Sequence, residues 1–497
     1  MNRSPALRVT KNAFAILTCK AAALLFSFAF LIYVARFLGA DGLGKYTIAT
    51  SFFHLFVSLA ATGLGIVLTR DIAQSPQNAN RLLSISLVFV LTLSLLAAGI
   101  MLVAARLFHY TADTDLAILV SCLAILPASI ALVLDALFLG FEKAEYATYA
   151  TLIVNAIQTG AGILALSLGY GLVSLFVILV IVRALILALY ALFVRKLMPH
   201  FHWDFNFASL KGLVRDWRIF AMENWLSNLS GTLDVILLSW FFGEAVVGIY
   251  AAARKLLSLG GVVAISFTTA VFPYLSHLYK ASRESFKSVA QGLMKYSLAF
   301  ILPVVLAIFW LADTLITLLF TRAYADSVPV LQFLVWELAL KFLNLPLSYI
   351  LFARGDQKRS FQVAAITLPV YLAIALALTP TWSAIGMAAA VTLSGLVSFA
   401  LYFFFTFRDE APFRLLLKLG WVLLAGGLSS AIGVVVFTFA PIPVELLVLL
   451  GALVYLILLW AFHIVTVEDI QRVRQIFRKP AKAADGLIRN INTKEVQ

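Results

Sequence analysis

Charged side chains lie inside apolar stretches that are long enough to cross a bilayer, among them Lys20, Asp234, Arg254, Glu337 and Lys341. A charge at the centre of a bilayer costs about 2.5–3.5 kcal/mol on insertion scales, so charges that remain there usually face a hydrated, protein-lined cavity. Such groups can bind an ionic substrate or a coupling ion. We therefore expect the function of the chain to reside in a polar cavity between membrane helices.

The segment 219–242 carries a long polar stripe around one of these charges. Its members follow helical steps of four, three and four, with two asparagines beside them: Glu223, Asn224, Ser227, Asn228, Ser230 and Asp234. Residues three and four apart share one face of a helix, so this spacing predicts a face that lines water or a polar partner.

Three other membrane segments offer polar groups at corresponding depths. Lys20 occupies the position that matches Asn224 in an internal repeat of the sequence. Arg254 matches Thr50 in the same repeat, and His54 lies one helical turn beyond Thr50. We expect four helices, two from each half of the chain, to face one central cavity.

These residue types suit a sugar that is joined to a lipid through a diphosphate. Lys20 and Arg254 supply fixed cations for phosphate groups, one as a point charge and the other as a planar fork. The neighbouring amides and hydroxyls supply donors and acceptors for sugars. The carboxylates of Glu223 and Asp234 would balance the cations, exchange protons or bind sodium. Alternatively, they pair with Lys20 and Arg254 only to hold the helices together.

Glu337 and Lys341 are spaced as an i, i+4 ion pair in the favoured order. We predict that they neutralise each other, with a role in ion coupling as the alternative. Asp135 and Arg183 occur singly in other apolar segments, where we predict contacts between helices.

The composition fixes the class of protein. The chain has 497 residues, of which 63% are hydrophobic and only 12% are charged, and its mean hydropathy is +1.00. Soluble domains carry about twice that charge. The sequence therefore predicts an all-α polytopic membrane protein with about fourteen transmembrane helices. We place them at residues 13–38, 42–69, 82–107, 116–141, 147–168, 171–194, 219–242, 246–274, 293–320, 328–353, 360–379, 383–407, 415–440 and 442–466.

Lys and Arg are distributed very unequally between the two sets of connections. One set, with the turns that flank it, contains 28 of the 37 basic residues, and the other contains only Arg36, Lys45, Arg106 and Arg322. By the positive-inside rule, the richer set and both termini are cytoplasmic. The net charge of +13 thus reflects membrane topology, and we predict no nucleic-acid partner.

The sequence contains a repeat with a shift of 204 residues. The segment RFLGADGLGKYTIA at 36–49 aligns with WFFGEAVVGIYAAA at 240–253, with glycines and a tyrosine at matching places. Because an even number of spans separates the copies, the halves have the same orientation and are related by a pseudo-two-fold axis along the membrane normal. We predict five units: a six-helix lobe at 1–194, a cytoplasmic connector at 195–218, a second six-helix lobe at 219–408, two extra helices at 409–466 and a basic cytoplasmic tail at 467–497.

Several segments resemble the polysaccharide transporter, or Wzx-type oligosaccharide flippase, family of the multidrug/oligosaccharidyl-lipid/polysaccharide (MOP) exporter superfamily. They are RFLGADGLGKYTIATSF at the first outer turn, RDIA at 70–73, LSWFFGEAVVGIYAAARKL at 238–256 and VFPYLSHLY at 271–279. The resemblance implies a fourteen-span inner-membrane flippase that moves polyprenyl-diphosphate-linked sugars outward by alternating access. It also implies that the chain is not an enzyme and that its partners are the lipid-linked oligosaccharide, membrane lipids and candidate polysaccharide-assembly proteins.

Three other functions stay open at this point. A lipid II flippase has a similar architecture, and a drug or cation exporter of the same superfamily usually has twelve spans. A membrane-embedded glycan polymerase or ligase would also bind polyprenyl-linked sugars, but such enzymes need a large outer domain, and the outer connections here are short.

We expect no cofactor and no metal. Gly39, Gly44 and Lys45 match the glycine and lysine spacing of a phosphate-binding loop, but Tyr46 stands where a hydroxyl residue must hold magnesium. No strand precedes this motif, and its turn is on the predicted outer side.

Overall fold

The computed structural model describes residues 5–61, 63–207, 209–215, 217–218, 229, 231–408, 413–439, 442–462 and 464, with side chains from residue 22 in the first helix and from residue 415 in the helix that begins at 413. All regular elements in these ranges are helical. Two short 3-10 segments span Pro76–Asn78 and Arg322–Tyr324. The α-helices are α1 (Pro5–Ala61), α2 (Leu64–Gln74), α3 (Ala79–Leu107), α4 (Ala112–Cys122), α5 (Ile125–Gly140), α6 (Ala144–Ser167), α7 (Gly171–Leu197), α8 (Leu233–Phe242), α9 (Glu244–Ala281), α10 (Arg283–Trp310), α11 (Ala312–Phe320), α12 (Ser327–Ala353), α13 (Gln357–Phe407), α14 (Phe413–Phe439) and α15 (Val444–Ala461).

The described part of the chain contains ten helices that are long and apolar enough to cross a membrane, and eleven if the bent pair α4–α5 counts as one span. Two of these ten are much longer than the rest: Ala22–Gln74, which takes in most of α1 and all of α2 and has 53 residues, and α13, which has 51. A non-helical residue interrupts each of them, Gly39 in α1 and Ser383 in α13. Each has room for two crossings, since one crossing needs roughly 20 residues. The all-α membrane fold is therefore confirmed, and the total of fourteen spans stays a prediction.

The predicted span 116–141 is a bent pair and not one straight helix. α4 and α5 meet at an angle of 42°. Pro127 lies in the first turn of α5, and its ring would collide with the carbonyl of Leu123 in a continuous helix. The α-helical hydrogen-bond pattern is accordingly interrupted at Leu123 and Ala124, whose amides donate to the carbonyls three residues back, those of Val120 and Ser121.

The two predicted halves have matching backbone geometry at their first outer turn. Gly39 has φ 70° and ψ −174°, and Gly243, which is 204 residues later, has φ 75° and ψ −166°. Positive φ is favourable for glycine because it has no Cβ. We call α1–α7 the N-lobe and α8–α13 the C-lobe.

Apolar packing joins the lobes and attaches the last two helices. One continuous core includes Phe52 of the N-lobe with Val247 and Leu334 of the C-lobe. A separate core joins α10 and α12 to α14 and α15, where the Tyr455 hydroxyl donates to the carbonyl of Ala299 at 3.1 Å. The connector after α7 packs on α3, where the amide of Asp204 donates to Ser84 Oγ at 3.2 Å.

Candidate functional site

The polar centre of the C-lobe is built around Asp234. This residue is in the first turn of α8, where its Oδ1 accepts the backbone N–H of Val235 at 2.8 Å. Its Oδ2 accepts the hydroxyl of Tyr250 at 2.7 Å and forms an ion pair with Arg254. The Asp234 side chain is 1% exposed. A carboxylate this deeply buried requires such partners, because an unpaired charge in an apolar interior is very costly.

Arg254 is anchored on one edge and open on another. One terminal nitrogen donates to the carbonyl of Gly231 at 2.9 Å, and the other contacts the Tyr250 hydroxyl at 3.4 Å. The side chain nevertheless stays 36% exposed. Its guanidinium is also close enough to Glu337 of α12 to interact electrostatically. The arrangement holds a planar cation in a fixed orientation with part of its surface available to a ligand.

Two further charged groups lie near this centre. Lys341 pairs with Glu337 on α12 at 2.9 Å, as the i, i+4 spacing predicts, and its side chain is 49% exposed. Lys255 of α9 donates to Ser27 Oγ of α1 at 3.1 Å and so connects the C-lobe to the N-lobe. The position of Lys255 between the lobes was missed by sequence reasoning.

The repeat aligns this centre with a chemically different place in the N-lobe. With the shift of 204 residues, Asp234 corresponds to Phe30 and Tyr250 to Tyr46. Phe30 and Tyr46 are in edge-to-face contact with ring centroids 6.0 Å apart, where their counterparts form a hydrogen bond. Thr50, the counterpart of Arg254, donates to the carbonyl of Tyr46 at 2.8 Å. The two lobes thus share geometry at this level but not charge.

The N-lobe has a polar cavity of its own, beside the second half of α1. It is lined by Phe30, Tyr46, Thr50, Phe53, His54, Gln158, Leu175, Phe176, Leu179 and Arg183. Two of the residues predicted for the site, Thr50 and His54, therefore lie together. Arg183 is also here, although the sequence predicts only a contact between helices for it. A larger cavity of about 250 Å³ between α10, α14 and α15 is almost entirely apolar.

The predicted stripe on 219–230 cannot be located in the structure. Glu223, Asn224, Ser227, Asn228 and Ser230 lie outside the described residues, and Lys20 lies in α1 with its side chain outside them. Of the predicted stripe, Asp234 alone is described. The structure therefore brings Asp234 and Arg254 into contact and places Thr50 with His54 in the N-lobe cavity.

A buried carboxylate at the predicted outer end of the lobes was missed by sequence reasoning. Glu244, the first residue of α9, accepts hydrogen bonds from the hydroxyls of Thr111 and Thr114 and from the Thr111 backbone N–H. Lys45 lies 3.9 Å from the same carboxylate and forms a closer ion pair with Asp41 at 2.9 Å. These contacts fasten the C-lobe to two elements of the N-lobe.

Close backbone contact reinforces this junction. A Cβ at Gly44 would lie 1.7 Å from the carbonyl oxygen of Glu244, and a Cβ at Gly248 would lie 1.8 Å from that of Ala40. Gly44 and Gly248 correspond in the repeat, so the two copies cross at equivalent glycines. We call this contact the glycine crossing.

Other hydrogen bonds at the same end join the two lobes, and their acceptors are main-chain carbonyls. Arg36 donates to the carbonyls of Leu318 and Leu319 on α11, and the Tyr324 hydroxyl donates to the carbonyl of Ala35 at 2.9 Å. Among the described residues, polar contacts between the lobes concentrate here, with Lys255–Ser27 deeper in the molecule.

Comparison with known proteins gives consistent results. A family model described as "Polysaccharide biosynthesis protein" matches residues 9–279, and a model described as MatE matches residues 220–379. The capsular polysaccharide biosynthesis protein CapF of Staphylococcus aureus is 24% identical over 205 residues, which are 41% of this chain and 52% of CapF. The chain thus aligns with about half the length of that relative.

Solved transporters share the fold. The lipid II flippase MurJ in an inward closed conformation superimposes with a TM-score of 0.74 at 16% identity, over 90% of this chain and 99% of that chain. An inward-facing multidrug resistance MATE family transporter of the MOP superfamily gives a TM-score of 0.65 at 18% identity, over 77% and 94%. At these identities the likeness establishes the fold alone.

Proposed function

Because the chain belongs to the polysaccharide biosynthesis protein family, whose model covers residues 9–279, we propose that it is a flippase for a polyprenyl-diphosphate-linked oligosaccharide. The substrate would move from the cytoplasmic to the outer leaflet of the inner membrane and serve cell-surface polysaccharide synthesis. The resemblance predicted from the sequence is confirmed at the level of the family and of the MOP-exporter fold. The protein is a multi-pass membrane protein, and its relatives are transporters and flippases.

The observation that carries the proposal is the anchored, partly open guanidinium of Arg254. Asp234 and the Gly231 carbonyl fix its orientation, and about a third of the side chain stays accessible. A guanidinium binds phosphate oxygens through two parallel hydrogen bonds, so this group suits a diphosphate. Lys255 adds a second cation between the lobes.

The wider set of site residues follows from the same chemistry. We propose that phosphate and sugar groups contact residues of both lobes, namely Lys20, Thr50, His54, Glu223, Asn224, Ser227, Asn228, Asp234 and Arg254. For ion coupling we propose Glu223, Asp234, Glu337 and Lys341. The ion pair of Asp234 with Arg254 also fits a role in holding α8 on α9, so the experiments below separate the two roles.

Alternating access accounts for the contacts at the outer end. Glu244, Lys45 and the glycine crossing fasten the lobes where the sequence predicts the outer face. With both termini cytoplasmic, as the distribution of Lys and Arg predicts, this state is closed to the outside. Release of the substrate would require these contacts to break while the lobes rock about the central site. No covalent step is required, so we propose that the chain is not an enzyme.

Reconstitution tests the proposal directly. Purified protein in proteoliposomes should move a polyprenyl-diphosphate-linked oligosaccharide between leaflets, measured as loss of access to an added glycosidase. Arg254→Gln should abolish this movement, whereas Arg106→Gln, which removes an exposed arginine at the end of α3, should leave it intact.

The competing functions give different results in the same assay. Preferential movement of lipid II or of a cationic drug would identify another transporter of the superfamily. Release or elongation of glycan without translocation would identify an enzyme. Either result contradicts the proposed function.

A further inference from the structure

Arg183 of α7 lies in the N-lobe cavity, and it forms no ion pair with any residue that the structure describes. Its Nε is buried and has no hydrogen-bond partner in the described part of the chain. The guanidinium carbon is 5.8 Å from the centre of the Phe53 ring, a cation–π contact that satisfies none of its N–H donors. A buried N–H of a guanidinium is unfavourable when it is unpaired, unless water or an anion accepts its hydrogen bond.

The carboxylate of Asp135, which interacts electrostatically with Arg183, accepts a hydrogen bond from another residue. Asp135 of α5 interacts electrostatically with Arg183 but is not within ion-pair distance of it among the described contacts. Its Oδ1 instead accepts the hydroxyl of Tyr190 at 2.6 Å. Asp135 therefore offsets part of the positive charge and leaves the donors of Arg183 available.

The cavity beside Arg183 can accept a small anionic group. Its volume is about 50 Å³, and a single water needs about 10–15 Å³ by the same measure, so the space holds a few waters or one such group. Gln158 and His54 on its wall can donate hydrogen bonds to the same group.

The cavity also lies close to a cation of the other lobe. His54 is exposed, and both Arg183 and Lys255 lie close enough to interact electrostatically with it. Lys255 in turn contacts Ser27 across the interface. Cations thus extend from the central site into the N-lobe.

We propose that Arg183, with His54 and Gln158, forms a second anion-binding subsite in the N-lobe, which takes a phosphate or a sugar carboxylate of the transported headgroup. This inference rests on the proposed function and adds a place where one end of the headgroup binds. Phosphate and carboxylate share the chemistry that a guanidinium recognises, so the two sources need separate probes.

Protection of His54 from chemical modification provides a local readout. The full-length protein in nanodiscs is treated with diethyl pyrocarbonate, and modification at His54 is quantified by mass spectrometry against the other five histidines. Inorganic pyrophosphate and glucuronate are titrated separately. We expect at least one probe to protect His54 in the wild type. The probe that does so identifies the kind of group that the subsite takes.

Substitutions of Arg183 then test the assignment. Arg183→Gln should raise the half-protecting concentration about tenfold or more, because hydrogen bonds to charged groups are lost. Arg183→Lys, which keeps the charge but not the fork, should give a smaller shift. Arg106→Gln, the matched control at an exposed site, should behave as the wild type.

Asp135→Asn keeps the proposal testable if Arg183→Gln fails to fold. Removal of the competing carboxylate should lower the half-protecting concentration. A purely structural role for Arg183 predicts no such change. The inference is overturned if neither probe protects His54 in the wild type, or if Arg183→Gln or Asp135→Asn leaves the protection curve unchanged.

Failure of the subsite and failure of the flippase are distinguishable. Translocation of lipid-linked glycan without protection of His54 would remove only the subsite. Protection that depends on Arg183 without translocation of glycan would remove the flippase and retain an anion site.

Discussion

The glycine crossing allows a sharp test of the closed outer end. We predict that Gly44→Ala or Gly248→Ala forces the lobes apart where α1 meets α9. The added Cβ at Gly44 would fall short of an ordinary 3.4 Å contact with the Glu244 carbonyl oxygen by about 1.7 Å. This oxygen belongs to the main chain of a helix, so it cannot rotate away as a flexible side chain would.

The expected effect follows from the cost of overpacking. Insertion of a methyl group into a filled contact costs about 1–3 kcal/mol, which corresponds to a shift of roughly 5–150-fold in a two-state equilibrium. Each substitution should therefore raise the ratio of protein open at the outer end to protein closed there by about that factor. Because the inward-open population falls correspondingly, export should decrease.

Cysteine labelling measures this population. Ser239 is buried at the lobe junction, where its hydroxyl is 2.7 Å from that of Tyr110. In a Ser239→Cys protein with Cys19 and Cys122 replaced by serine, the reaction rate with a membrane-impermeant maleimide reports opening. Gly261→Ala is the matched control, because the same change on α9 meets no neighbour within 4 Å. Unchanged labelling in both crossing variants would refute the argument that this contact closes the outer end.

Three further predictions concern the central site. Asp234→Asn should lower the free energy of unfolding by about 1–3 kcal/mol because it removes the carboxylate that pairs with Arg254. The double variant with Arg254→Gln should recover stability but not export, and recovery of both would mean that the pair is only structural. Lys255→Met should reduce glycan export with little change in melting temperature, since it removes one exposed hydrogen bond. A large fall in melting temperature beside the loss of export would contradict a role in binding. If Glu337 and Lys341 only neutralise each other, either Glu337→Gln or Lys341→Met alone should reduce export more than the double variant does. An export defect in the double variant as large as in either single variant would instead support ion coupling.

The membrane fold and part of the site were accessible from the sequence because their signals are local. The repeat places Gly39 and Gly243 at equivalent turns, and the structure gives them nearly equal dihedral angles. The spacing of Glu337 and Lys341 within one helix likewise predicts their ion pair. The bend at Pro127 could have been predicted from the same kind of local rule.

The remaining features depend on contacts between distant segments. Glu244 is preceded by a glycine turn that was recognised, but its partner Thr111 is 133 residues away on the other lobe. Tyr250 served as a match in the repeat, and nothing in the sequence identified it as the donor to Asp234. For Arg183 the sequence predicts a contact between helices, but it could not reveal that the carboxylate of Asp135 accepts the hydroxyl of Tyr190.

Phe30 and Asp234 occupy equivalent positions of the repeat but differ in chemistry. This difference has a consequence for the proposed substrate. The repeat matches the backbones of the two lobes but not their charges, because the N-lobe has an aromatic ring where the C-lobe has a neutralised carboxylate and its guanidinium. If one headgroup binds between the lobes, as we propose, we expect it to bind in one preferred orientation relative to them. The two copies of the repeat thus share a backbone turn, and a few unlike side chains make the two lobes chemically distinct.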